Sequence, residues 1–286
     1  MTGVDLPVAD DRPVVGPVPA PDLHAMTLNL RRPVPHLRRD HPDRWEFRRG
    51  AVRELIETES PHLLGLQEVL ADQERWLAEA LSDRWERVLE GRERDGGGEQ
   101  VGLLVDASRL RVVAHRSWAL SPEPDRAGSR GWGSLFPRRL VGAVLADRVV
   151  GTRFLALAAH LDVLSATARR RSARLIVDVA RENALPTLLL TDANAAAGSA
   201  PHRVLTADGF VDTWDVARSR ATPLVGTRPD YRTPREDGRR IDWVLARGVD
   251  GATPSVARAA ISSRRPFGVW PSDHAAVHAV LRWEAP

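Results

Sequence analysis

Residues 152–194 read TRFLALAAHLDVLSATARRRSARLIVDVARENALPTLLLTDAN, and the patterning of this stretch decides the fold class. TRFLALAAHL has the apolar run of a buried strand, and PTLLLTDAN is a second buried strand that ends in polar residues. Between them, SATARRRSARLIVDVAREN spaces its apolar residues as a helix does. Strand, helix and strand in succession build a layered α/β domain. Upstream, LHAMTLNL (23–30) and HLLGLQEV (62–69) read as strands. DRWEFRRGAVRELIETE (43–59) reads as a helix that can gather Trp45, Val52, Leu55 and Ile56 on one face, and ADQERWLAEALS (71–82) as another. VGLLV, LRVVAHRSWAL and LVGAVLADRVV then lead into TRFLALAAHL with little helix between them, so the middle of the chain reads as antiparallel. IDWVLARG and AAVHAVLRW close it as strands.

With 286 residues, 43% of them hydrophobic, the chain can bury a large core, and one large domain fits better than several small ones. Residues 1–21, rich in proline and valine without periodicity, read as a flexible arm, and residues 22–286 as the domain. There is no cysteine, which excludes disulfides, thiolate metal sites and a cysteine nucleophile; oxygen and imidazole remain as metal ligands, and hard cations become the default. The N-terminus lacks a basic start and an apolar h-region, and no run reaches the roughly 18 apolar residues of a membrane span, so a soluble cytoplasmic protein is expected. Every basic residue is arginine and none is lysine, which removes Schiff-base chemistry, while the net charge is only +3. That balance is compatible with phosphate-bearing substrates without arguing for a long nucleic-acid footprint.

The chemistry lies where the strands stop. Asn29 follows AMTL, Glu68 follows LLGLQ, His160 follows FLALAA, Asp192 and Asn194 follow TLLL, and Asp273 and His274 sit in PSDH before the final strand. Strand ends form a rigid rim on which a site can be assembled from residues distant in sequence. Taken singly, each residue is better explained as a turn or cap former.

In order and spacing, MTLNL, GLQEV, AAHLD, TDANA, RIDWV and PSDH resemble the motifs of the endonuclease/exonuclease/phosphatase superfamily, from about Leu23 to Trp283. The resemblance implies a DNase I-like fold: a four-layer α/β sandwich, two packed and mostly antiparallel β-sheets flanked by helices. It also implies a phosphoesterase that uses Mg2+ or Mn2+, with Asn29, Glu68 and Asp273 at the metal. Asp192 would position or deprotonate the attacking water and Asn194 would contact the phosphate. Asp242 would orient His274, which would hydrogen-bond the scissile phosphate, while His160 would stabilise charge near the leaving group. Glu99 would support His160 from behind. Arg138, in the SRGWGSLFPR segment, reads equally as a substrate contact or as the partner of a structural carboxylate. The partner implied is a phosphate-ester substrate, nucleic acid among the candidates.

The sequence departs from the family pattern at Thr191, where a glycine is usual, at Ala158 and Ala159, and at Val163. Thr191 and Ala158 are the support for an alternative, a catalytically weak or inactive binding module that keeps the fold. Arg31, Arg32, Arg38 and Arg39 read as a solvated loop in preference to a phosphate-attracting rim.

Overall fold

The computed structural model describes residues 12–39, 41–249 and 253–284. Its elements are β1 (Leu23–Asn29), α1 (Trp45–Glu59), β2 (Leu63–Val69), α2 (Ala71–Ala80), β3 (Trp85–Gly91), β4 (Gln100–Asp106), β5 (Leu110–Ala119), β6 (Arg139–Asp147), β7 (Arg153–His160) and α3 (Ala166–Asn183). After these come β8 (Thr187–Asp192), α4 (Ala200–Thr206), β9 (Phe210–Asp212), α5 (Thr213–Val216), β10 (Ser219–Arg220), β11 (Asp242–Arg247), β12 (Thr253–Ser262) and β13 (Ala276–Glu284). They form a seven-stranded sheet, ordered β10-β12-β13-β1-β2-β4-β3, and a six-stranded sheet, ordered β5-β6-β7-β8-β11-β9. This is the expected two-sheet α/β sandwich. The run read as antiparallel crosses from one sheet to the other after β4, and β5, β6 and β7 pair antiparallel.

The layers follow from side-chain alternation along the strands. Leu188 and Leu190 of β8 join Leu63, Leu103, Val141 and Val244 in the core between the sheets. Leu189, between them in sequence, packs outward with Ile176 and Val177 of α3. A strand buried on both faces carries no polar alternation, which is why TLLL is continuously apolar. On the other outer face, Met26, Leu28, Leu64 and Leu66 meet Val52, Leu55 and Ile56 of α1. The sheets approach closely at Gly65, where an added Cβ would lie 2.5 Å from the Leu190 Cβ.

Register gathers the strand ends. Parallel pairing of β7 with β8 sets His160 opposite Asp192, and antiparallel β11 brings Asp242, its first residue, beside Asp192 on the other side. In the first sheet, β1 and β2 run parallel with Asn29 opposite Gln67, and β13 runs antiparallel to β1. The segment that precedes β13 therefore reaches the same edge.

Part of the arm expected over residues 1–21 lies outside the described residues. Within the described part, the N–H groups of Val14, Val15 and Gly16 donate to the buried Glu59 carboxylate at 2.8, 3.0 and 3.2 Å, which ties the chain there to the end of α1. Among the described residues, no helix is long and apolar enough to cross a membrane.

Candidate active site

Each strand end presents its polar residue through a local device. Asn29 ends β1, and its Oδ1 accepts the Arg31 N–H at 2.8 Å. Its Nδ2 donates to Glu68 Oε1 at 3.0 Å and to Asp192 Oδ2 at 2.9 Å, joining the two sheets. Glu68 sits at a register shift between β2 and β4 with φ +59°; a bulge of this kind turns a side chain out of the pleat and into a cleft. Asn194 also has positive φ, +48°, and its N–H donates to Asp192 Oδ1 at 2.9 Å.

Two histidines flank Asp192 and are held in opposite protonation states. His274 Nδ1 lies 3.1 and 3.0 Å from the two oxygens of Asp242, and its Nε2 lies 3.9 Å from Asp192 Oδ2. Burial opposes charge on this ring, but Asp242, Asp192 and Asp273 override it and push its pKa up to about 10. His160 is the reverse case: burial and the adjacent Arg138 charge pull its pKa down to about 4 against the carboxylates nearby. Arg138 Nη1 is 3.2 Å from His160 Nδ1. A guanidinium only donates, and so does an amide nitrogen: Arg138 points at Nδ1, while Asn194 Nδ2 lies 3.0 Å from Nε2, which is also 3.5 Å from Asp192 Oδ2.

The acids divide similarly. Burial works against ionising Glu68, yet the Asn29 amide, the Arg32 N–H and the His274 charge help bring its pKa down to about 2. Asp273 is raised, first by burial and also by Glu68, against the charges of His274, Arg31 and Arg228. Its Oδ2 lies 3.7 Å from both Arg31 Nε and Arg228 Nε. The PSDH segment is anchored by Ser272, whose hydroxyl donates to the Asn29 carbonyl at 2.6 Å and accepts the His274 N–H at 3.1 Å. The wholly buried Arg48 of α1 adds a second anchor. Its Nη1 donates to the carbonyls of Leu30 at 2.6 Å and Pro271 at 2.9 Å, and its Nη2 to that of Arg31.

These side chains border an open cleft with about 220 Å³ of space for water, lined among others by Glu68, Glu99, Arg138, His160, Asp192, Asn194 and His274. Glu68, His160 and Asp192 each offer a ligand atom within 4.8 Å of the others, and so do Asp192, Asp242 and His274. All ten residues singled out from sequence therefore lie in or beside one cleft, with some differences in placement. Asp273 stands next to the ligand group, engaged by two arginines. Glu99 makes its ion pairs with Arg92 at 2.5 Å and Arg32 at 3.5 Å, and Arg138 is the group that touches His160. Arg138 pairs with a structural carboxylate, Asp162 at 3.8 Å, and also lines the cleft.

Arg31 and Arg32, read as a solvated loop, both line the cleft: Asp43 and Asp273 draw Arg31 in, while Arg32 stays exposed with Glu99 3.5 Å away. Sequence reasoning also passed over Arg92, Arg228 and Phe136, which line it too. Of the departures from the family pattern, Thr191, Ala158 and Ala159 are wholly buried within strands, and the Thr191 hydroxyl donates to the Ala159 carbonyl at 3.0 Å. They remove no polar group from the cleft. Val163 is exposed on its lining.

Residues 26–274 match the model of the Endonuclease/Exonuclease/phosphatase family. No curated protein matches the sequence. Among solved structures, an endonuclease/exonuclease/phosphatase from Bacteroides vulgatus superposes with a TM-score of 0.83 at 27% identity, over 92% of this chain and 99% of that one. The Bacteroides thetaiotaomicron mannosyl-6-phosphatase gives 0.81 at 24% identity, over 91% and 99%. The human nocturnin catalytic domain with bound sulfate gives 0.68 at 15%, over 92% and 95%. The last two are similar in fold.

Proposed function

We infer, from the premise that this chain belongs to the endonuclease/exonuclease/phosphatase family, that it is a metal-dependent phosphoesterase that hydrolyses a phosphomonoester or phosphodiester by in-line attack of water. The observation that carries this reading is the convergence of Glu68, Asp192, a neutral His160 and a charged His274 on one cleft.

The residues present fit a hard divalent cation. The donors are oxygen and imidazole, Glu68 is held ionised, and burial, with Glu68 nearby, pushes the Asp273 carboxyl up, a cost that a cation would relieve. Glu68, Asn29 and Asp273 would hold Mg2+ or Mn2+, which supplies cover for phosphate charge and a lowered water pKa.

The chain's own groups account for the remaining requirements. Asp192, fixed by Asn29 and Asn194, orients the attacking water and accepts its proton. His274, kept cationic by Asp242, directs Nε2–H toward the phosphate oxygens as a preorganised donor. The Asn194 amide adds a neutral donor. His160 lines the cleft between Arg138 and Asn194, where the three groups stabilise charge developing on the leaving oxygen.

Hydrolysis in water enriched in heavy oxygen tests the reaction type. Cleavage at phosphorus places one solvent oxygen on the phosphoryl product; a label found on the alcohol instead would overturn the assignment.

A further inference from the structure

Two loops beside the cleft expose large apolar side chains to water. Leu135 and Phe136 are 58% and 47% exposed, and Val163 and Leu164 are 46% and 62% exposed. The loops are joined, since Ser165 Oγ donates to the Trp132 carbonyl at 2.7 Å, and Phe136 and Val163 both line the cleft. Arginines hold their backbones. Arg130 Nη1 donates to the Leu135 carbonyl at 2.9 Å, and Arg169 Nη1 to the carbonyls of Asp162 and Val163 at 2.8 and 3.1 Å. Neither guanidinium has a carboxylate partner among the described residues. The rim thus combines apolar tips with two charges that only backbone dipoles neutralise.

We propose that this rim docks on an anionic phospholipid surface and that the ester hydrolysed is drawn from that surface. Apolar patches of this kind on a soluble surface mark interaction sites. Aliphatic tips enter the boundary between headgroups and acyl chains, while arginines beside them meet the phosphates. Three of the four side chains are aliphatic, whereas single-stranded nucleic acid is held on aromatic platforms. Docking through Phe136 and Val163 places a headgroup phosphate at the cleft they line. The docking half of the proposal stands on the rim alone; the substrate half rests on the phosphoesterase reading.

Sedimentation of the full chain with phosphatidylcholine vesicles, with and without phosphatidylglycerol, tests it alongside turnover of soluble p-nitrophenyl phosphate and bis(p-nitrophenyl) phosphate. The expected result is binding to the anionic vesicles, weakened at least about tenfold by Leu135→Ser with Leu164→Ser, with soluble turnover and melting temperature unchanged. Wild-type protein that stays in solution with anionic vesicles overturns the proposal. So does a double variant that binds them as the wild type does, or one that loses affinity for single-stranded DNA but not for vesicles. Vesicle binding without hydrolysis of either nitrophenyl ester or of the vesicle phospholipid supports the docking surface and removes the hydrolase reading.

Discussion

Arg48→Met removes a buried cation from beneath the cleft while keeping most of its aliphatic bulk. In the wild type this guanidinium joins the end of β1, through the Leu30 and Arg31 carbonyls, to Pro271 just before Ser272, Asp273 and His274. Its ring partner is Trp45, 5.1 Å away, and burial lowers its pKa. The substitution strips a charged donor from three carbonyls, at about 1–3 kcal/mol for each left without a partner. Several kcal/mol return because no cation need be desolvated, leaving a net loss of about 3 kcal/mol. At about 2–4 °C per kcal/mol, the melting temperature falls by about 6–12 °C. Turnover falls further than stability alone requires, because Asn29 and His274 lose one of their two anchors and rely on Ser272 alone; a displacement of about 1 Å in a positioned group costs on the order of a hundredfold. Calorimetry and p-nitrophenol release from aryl phosphate esters, measured well below the melting transition, separate the two effects. Arg48→Lys keeps the charge without the planar fork and should fall between the two. A methionine variant that melts within about 2 °C of the wild type and turns over normally would refute this account of the anchor.

Other perturbations probe other parts of the molecule. Asp242→Asn keeps the shape beside His274 but removes the charge that holds its proton, so steady-state kinetics should show kcat reduced about a hundredfold or more with a smaller change in KM. The Asp147 carboxylate is depressed: burial opposes ionisation, but Arg109 at 2.8 Å and the N–H groups of Val149 and Val150 prevail. Its stabilisation is present above the ordinary carboxylate pKa of about 4 and is lost as pH falls through the lower folded value. In urea titrations Asp147→Asn should therefore lower stability at neutral pH and reduce the further loss in acid. Gly65→Ala sets a methyl group 2.5 Å from Leu190 Cβ, and the sheets must part, at about 1–3 kcal/mol in the urea midpoint analysis.

The strand ends were readable because burial on both faces leaves long apolar runs that stop abruptly at a functional residue. TLLLTDAN shows this directly, with Leu188 to Leu190 buried on both faces and Asp192 at the rim. Edge and mixed strands left weaker traces. β3, WERVLEG, buries Trp85, Val88 and Gly91 at intervals of three while its other residues reach water, so neither alternation nor an apolar run marks it. β12, TPSVARAAIS, contains a proline and a register shift near Ala257. Charge misled in a different way. Arg48 shares the buried face of α1 with Val52 and Ile56, but a guanidinium that satisfies carbonyls has the same one-letter code as one in solvent. Arg92 and Arg228 reach the cleft from loops or edges whose position depends on sheet packing, and Arg32 meets Glu99, 67 residues away in the chain. The motif residues are legible because chemistry fixes their type; the cleft wall is not, because geometry alone gives those arginines a role.

The most direct test is the initial rate of ester hydrolysis by metal-stripped protein as Mg2+ or Mn2+ is added back. The expected result is negligible turnover without metal and saturable recovery with it, abolished again by EDTA and strongly reduced in Glu68→Gln. Turnover that ignores EDTA, or no turnover at any metal concentration across aryl phosphates, phospholipids and nucleic acids, would contradict the assignment of this cleft as a metal-dependent phosphoesterase site.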